Sequence, residues 1–213
     1  MNVYLDMDGL LANLFDKIAY TRFNKPYAAK DANTPGLTDE EKKEAKRVWY
    51  DRAHFIDNFG DVKEFFATLP PFGEHGEITK AIIDTVVKIA GKYNICSHPA
   101  GIDSDASEAG KRIWIKKHLS PPPEEMYFPQ SKAIYATTDD GIPNVLIDDF
   151  APYLRAWEEE GGIPIEMRTD KYHSKQQIES FLTKELNKAK KRIDNKIPTF
   201  KQYANKAINN TLK

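Results

Sequence analysis

The sequence predicts an α/β protein: a doubly wound parallel sheet with helices on both faces. Two observations carry that expectation. Short apolar runs of strand length, at 2–5, 93–96, 144–147 and 163–167, alternate with stretches of helical periodicity at 77–91, 104–119 and 153–160. Alternation on this scale produces parallel strands joined by right-handed crossovers. Three of the runs also end in polar residues of related chemistry: Asp6 and Asp8, then Ser97, then Asp148 and Asp149. In open parallel sheets ligands bind beyond the carboxyl ends of the strands. The expected arrangement is therefore Rossmann-like, with its chemistry at one end of the sheet.

The elements follow in order. Val3-Tyr4-Leu5 reads as a buried strand running into Asp6-Met7-Asp8-Gly9. Side chains alternate faces along a strand, so Asp6 and Asp8 share one side beyond its end. Residues 10–20 have helical apolar spacing, and 24–38 reads as loop from its Pro, Gly, Asn and Asp. Thr38 and Glu41 form a capping box that starts a helix toward Asp51. A helical segment at 62–68 is stopped by Pro70-Pro71. The helix at 104–119 is expected to turn Ile113, Trp114 and Leu119 to the core and to leave Lys111, Lys116 and Lys117 in solvent. Pro121-Pro122-Pro123 is a stiff connector, 126–128 a short strand, and Gly161-Gly162 closes the helix at 153–160. A long helix begins near Ser174, and Pro198 interrupts it before a last helix at 199–212. The chain thus divides into a core of 1–19 and 73–173, a small helical insertion at 20–72, and a basic helical extension at 174–213.

Composition bounds the rest. With 213 residues, 40% hydrophobic and 30% charged, the chain can build a sizeable soluble core. No apolar run approaches the ~20 residues of a membrane helix. The first strand begins at once, leaving no space for a signal peptide. The lone Cys96 excludes an internal disulfide and fits a reducing compartment, so a cytoplasmic protein without a membrane partner is expected. The net charge of −1 conceals a division. From Lys171 onward eleven Lys and Arg face three Asp and Glu, which leaves the remainder near −9. A basic tail makes nucleic acid a candidate partner. This one lacks the interleaved aromatics of a single-strand platform, so a solvated helical face is the preferred reading. The oligomeric state is left open, a homodimer included.

Two carboxylates at one strand end cost stability unless something positive sits between them. That implies a divalent cation, a phosphate held through one, or a shared proton. Each strand-end feature has a bland explanation by itself. An Asp-x-Asp-Gly is common in turns, Ser97 can be a cap, Asp148-Asp149 can be a helix N-cap pair, and Lys132 in Pro129-Gln130-Ser131-Lys132 can be solvated. Jointly, in this order and on these strand ends, coincidence is a poor account.

Asp6-x-Asp8-Gly9, Ser97, Lys132 and Asp148-Asp149 together resemble the four motifs of the haloacid dehalogenase superfamily of phosphohydrolases. The resemblance implies a Mg²⁺-dependent phosphomonoesterase. Asp6 would be the nucleophile that forms an aspartyl-phosphate, and Asp8 the general acid and base. Ser97 and Lys132 would hold phosphoryl oxygens. Mg²⁺ would be held by Asp6, the Asp8 carbonyl and an acid of the Asp148-Asp149 pair.

A closer similarity, over roughly residues 1–170, is to the 5'(3')-deoxyribonucleotidases. It rests on Val3-Tyr4-Leu5-Asp6-Met7-Asp8-Gly9-Leu10-Leu11-Ala12, Phe65-Phe66-Ala67-Thr68-Leu69-Pro70-Pro71, Ile95-Cys96-Ser97-His98-Pro99, Lys111-x-x-Trp114-Ile115-x-x-His118-Leu119 and Leu146-Ile147-Asp148-Asp149. It implies a nucleoside monophosphate as substrate and residues 20–72 as a cap, with Trp49 and Phe55 as its base-stacking candidates. His98 stands where that family usually has a small residue, and it joins the substrate-binding candidates. Phe150 stands where some members have Arg, and the stretch from Lys132 to Asp148 is long for the family. The competing expectations are a phosphatase for nucleic-acid ends or another small phosphomonoester, and a binding protein that keeps the fold without catalysis.

Overall fold

The computed structural model describes residues 1–23, 38–43, 56, 59–100, 103–172 and 174–195. Trp49, Phe55 and the expected helix at 199–212 lie outside them. Five parallel strands form one sheet: β1 Val3–Leu5, β2 Asn94–Cys96, β3 Met126–Tyr127, β4 Val145–Asp148 and β5 Ile163–Glu166, in the order β3-β2-β1-β4-β5. The chain winds outward from β1 to β3, then returns to the other side of β1 for β4 and β5. The order reverses between β1 and β4, which is where doubly wound sheets open a crevice. Register brings the strand ends level. Leu5 lies beside Ile95 on one side and Ile147 on the other, so Asp6, Ser97 and Asp148 emerge at one edge.

Alternation along the strands builds two cores. Val3, Leu5, Ile95, Val145 and Ile147 face a large apolar cluster. It is closed by α1 (Leu14–Phe23), α2 (Val62–Ala67), α3 (Glu77–Ala90), α4 (Ser104–His118) and α6 (Lys175–Asp194). Tyr4, Cys96 and Leu146 face the opposite way and pack with Ala136, Leu154 and Trp157. Those partners come from α5 (Ala151–Glu159) and the end of a 3-10 turn at Lys132–Tyr135. Both tryptophans on these faces satisfy their indole N–H groups: Trp114 donates to the Leu69 carbonyl at 2.7 Å and Trp157 to the Asn144 carbonyl at 3.0 Å.

The basic extension does more than solvate. In α6, Ile178, Leu182, Leu186 and Ala189 recur on one face, are buried, and dock on α3. Each of the larger side chains contributes on the order of 2 kcal/mol by burial, and the lysines occupy the remaining faces. The helix begins where the sequence suggests, with the Ser174 hydroxyl accepting the Gln177 N–H. The Thr38–Glu41 capping box is also present: the Glu41 N–H donates to Thr38 Oγ1 at 3.2 Å, and the Thr38 N–H to Glu41 Oε2 at 3.0 Å.

Two expectations need correction. The first helix starts at Leu14 rather than at residue 10, because Leu11 and Ala12 both donate their N–H groups to the Met7 carbonyl in a tight turn. In α4 the buried stripe is Ser107, Gly110, Lys111, Trp114 and Ile115, spaced at i, i+3, i+4, i+7 and i+8. Ile113 is 44% exposed, and Lys111, expected in solvent, is fully buried. Gly110 permits this rotation, since a Cβ there would strike the Lys63 carbonyl of α2. No helix among the described residues is long and apolar enough to cross a membrane.

Candidate active site

The loop after β1 is shaped by Gly9. Its φ of +84° lies in the left-handed region, and any Cβ there would run into the Asp149 carboxylate. Glycine therefore lets the acid beyond β4 reach the turn beyond β1. Four candidate acids, Asp6, Asp8, Asp148 and Asp149, thus gather at the switch point of the sheet.

Two lysines approach them from opposite faces of the sheet. Lys132, from the 3-10 turn on the Tyr4 side, donates to Asp148 Oδ2 at 2.6 Å and lies 2.7 Å from Asp6 Oδ1. Lys111, from α4 on the other side, donates to Asp8 Oδ2 at 2.6 Å, to Ser97 Oγ at 3.0 Å and to the His98 carbonyl at 2.7 Å. Charges buried this deeply are tolerated only when paired and hydrogen-bonded. Asp148 completes its bonding by accepting the Phe150 N–H at Oδ1, 2.8 Å away. Asp8 Oδ1 has no such partner: it is buried and unpaired among the described residues.

Burial decides the electrostatics. It pushes the Asp148 carboxyl from its ordinary 3.8 to about 6, against the pull of Lys132 and with the help of the Asp6 charge. Asp149 is raised well above the usual range by burial, then by Asp6 and Asp148. Asp8 is raised by burial in spite of Lys111. For Lys132 burial works downward, but the carboxylates of Asp6 and Asp148 together hold its ammonium well above the normal range. His98 is lowered by burial, then by the charges of Lys111 and Lys132, which favours the neutral ring.

This environment fits a divalent cation. Asp6, Asp148 and Asp149 each offer a carboxylate oxygen, and those oxygens all lie within 4.8 Å of one another. An all-oxygen set suits Mg²⁺, and a bound cation would offset both the burial that mainly raises Asp148 and Asp149 and the repulsion that adds to it. A pH dependence follows. The Asp148 carboxyl binds its proton more tightly folded (about 6) than unfolded (3.8). Its stabilising contribution is therefore complete below about pH 4 and is lost as the pH rises through 6. Mg²⁺ competes for the same oxygens, so its affinity is expected to rise through pH 6 by up to ~10-fold per unit. Thermal unfolding with and without Mg²⁺ checks this: the shift on adding the cation should be smaller at pH 5 than at pH 7.5. An equal shift at both would contradict it.

A cavity of about 210 Å³ opens on this constellation. Asp6, Asp8, Ser97, His98 and Asp149 form its polar floor, and Leu14, Phe15, Ile56, Ala100, Phe150 and Tyr153 its apolar walls. The His98 ring stacks on Tyr153 with centroids 5.9 Å apart, and Lys132 Nζ sits 4.6 Å from the centre of the same Tyr153 ring. Of the residues singled out in the sequence, Asp6, Asp8, Ser97, His98, Lys132, Asp148 and Asp149 come together here. Tyr153 was not among them, and Lys111 was expected in solvent rather than at the site. Lys111 had a detectable signal, because it shares a helical stripe with Trp114 and Ile115. Tyr153 had none beyond its place one turn after Asp149.

No family model matches this sequence, and neither does any curated protein. Among solved structures the chain is similar to a hydrolase from Streptococcus pneumoniae TIGR4, at 13% identity and a TM-score of 0.47, covering 78% of this chain and 91% of that one. The chemistry open to this protein is written in its own side chains: a cavity floored by carboxylates, a serine hydroxyl and a histidine, with two lysines buried against those carboxylates.

Proposed function

We propose that the chain is a Mg²⁺-dependent phosphomonoesterase of the haloacid dehalogenase type, acting on nucleoside monophosphates, deoxy forms included. One observation carries this reading. Asp6, the acid at the end of the central strand, shares its cavity with an acid tied to a separate lysine and is itself bridged by Lys132 to Asp148.

In this mechanism a carboxylate oxygen of Asp6 attacks phosphorus. The ester P–O bond breaks, its electron pair passes to the leaving oxygen, and that oxygen takes a proton from Asp8 and departs as the alcohol. Water then attacks the aspartyl-phosphate, Asp8 accepts its proton, and inorganic phosphate leaves with the Asp6 carboxylate restored. Ser97 and the remaining N–H of Lys132 hold phosphoryl oxygens. Asp6, Asp148 and Asp149 would hold Mg²⁺, whose charge would let an anionic nucleophile meet an anionic phosphate. The neutral His98 ring and Tyr153 wall the side from which the ester enters. A cavity below the ~300 Å³ usual for small-molecule sites favours a small ester over a polymer end.

The test is phosphate release from a panel of 5' and 3' nucleoside monophosphates, sugar phosphates and p-nitrophenyl phosphate. Turnover of nucleoside monophosphates on the order of 1–10³ per second is expected with Mg²⁺, with loss in EDTA and recovery on adding Mg²⁺ back. Preference for sugar phosphates would remove the nucleotide assignment, and hydrolysis of none would remove the phosphatase itself.

A further inference from the structure

Resting on the phosphomonoesterase reading above, we infer that Lys111 is a positioning residue: it locks one oxygen of Asp8 so that the other, Oδ1, is the atom that hands its proton to the leaving group. An ammonium has three N–H donors. All three of Lys111 are taken within the protein, by Asp8 Oδ2 at 2.6 Å, Ser97 Oγ at 3.0 Å and the His98 carbonyl at 2.7 Å. None is left for a phosphoryl oxygen. Lys132 differs, with two carboxylates as partners and one donor remaining.

The consequences are atomic. With Oδ2 held, the Asp8 carboxyl cannot rotate, and Oδ1 is its one oxygen without a partner among the described residues. Asp8 lines the cavity where the ester enters. Ser97 Oγ accepts from Lys111, so the hydroxyl proton of Ser97 is free to donate to the phosphoryl group. The same lysine ties the His98 backbone to this arrangement, fixing the loop beyond β2. Lys111 itself is held by the close approach of α4 to α2 at Gly110, and its Nζ lies 5.0 Å from the centre of the Phe66 ring.

The test separates proton delivery from phosphate binding. A nucleoside ester needs a proton on its leaving oxygen; p-nitrophenyl phosphate expels a stabilised anion and does not. The quantity compared is kcat/KM, which reports the steps up to the first irreversible cleavage. Lys111→Met is expected to lose roughly 10²–10⁴-fold on the nucleoside ester, the range of a general-acid contribution, and less than about tenfold on p-nitrophenyl phosphate. Equal loss on both overturns the inference.

Should Lys111→Met fail to fold, Asp8→Asn and Asp8→Asn/Lys111→Met carry the test, because the double variant leaves no unpaired charge. If Lys111 acts through Asp8, the two have kcat/KM values on p-nitrophenyl phosphate within about twofold of each other. A further tenfold loss in the double variant means that Lys111 serves phosphate binding, through Ser97 or directly, rather than proton delivery through Asp8, and the inference fails. A wild-type protein that cleaves neither ester overturns the phosphatase reading, and the role of Lys111 with it.

Discussion

Asp6→Asn is expected to abolish phosphate release, by at least ~10⁴-fold in kcat/KM, while leaving the protein folded. An amide of nearly the same shape cannot attack phosphorus, and no second acid can take over its position. Asp8 is fastened to Lys111, Asp148 to Lys132 and the Phe150 N–H, and Asp149 packs against the turn at Gly9. Folding should survive because Lys132 retains Asp148 at 2.6 Å and one carboxylate charge is removed from a group of mutually repelling acids. Phosphate release and thermal unfolding are the two measurements. Retained activity at more than about a hundredth of wild type would exclude Asp6 as the nucleophile.

Lys132→Met is expected to have the largest effect on stability, and one that depends on the cation. Methionine resembles lysine in length but leaves Asp6 and Asp148 facing each other in the interior without a positive charge. Breaking a buried ion pair by removing one partner costs about 3–5 kcal/mol. In a chain of this size that lowers the unfolding midpoint by roughly 6–20 °C. Saturating Mg²⁺ should recover part of the loss, since a divalent cation on the same oxygens replaces the missing charge. Lys175→Met, at an exposed pair on α6, serves as control and should stay within ~0.5 kcal/mol. An unchanged midpoint for Lys132→Met in EDTA would mean that the Asp6–Lys132–Asp148 bridge does not form in solution.

Much of this arrangement is legible from local pattern. The strand ahead of Asp6 is apolar because it lies between two neighbours with both faces covered, and such a strand reads the same in sequence as in space. Ser97 and Asp148 follow equally apolar runs, so their places at strand ends follow from the runs themselves. The Thr38–Glu41 capping box and the start of α6 at Ser174 are local in the same sense. Ile113 and Lys111 show where local pattern fails. Hydropathy points isoleucine inward and lysine outward, and in α4 the opposite holds, because helix rotation is set by Trp114, Ile115 and the backbone contact at Gly110 rather than by the two residues concerned.

The sequence by itself determined the alternation of strands and helices and which acids stand at strand ends. For Asp6 and Asp8 it implied a cation, a phosphate held through one, or a shared proton. The tertiary structure gives each acid its own ammonium instead: Lys132 for Asp6 and Asp148, and Lys111 for Asp8, a partner 103 positions away in the chain. The physical reason is that a lysine is buried only when carboxylates await it. Whether they do depends on strand register and helix rotation, which are set by packing between elements distant in sequence.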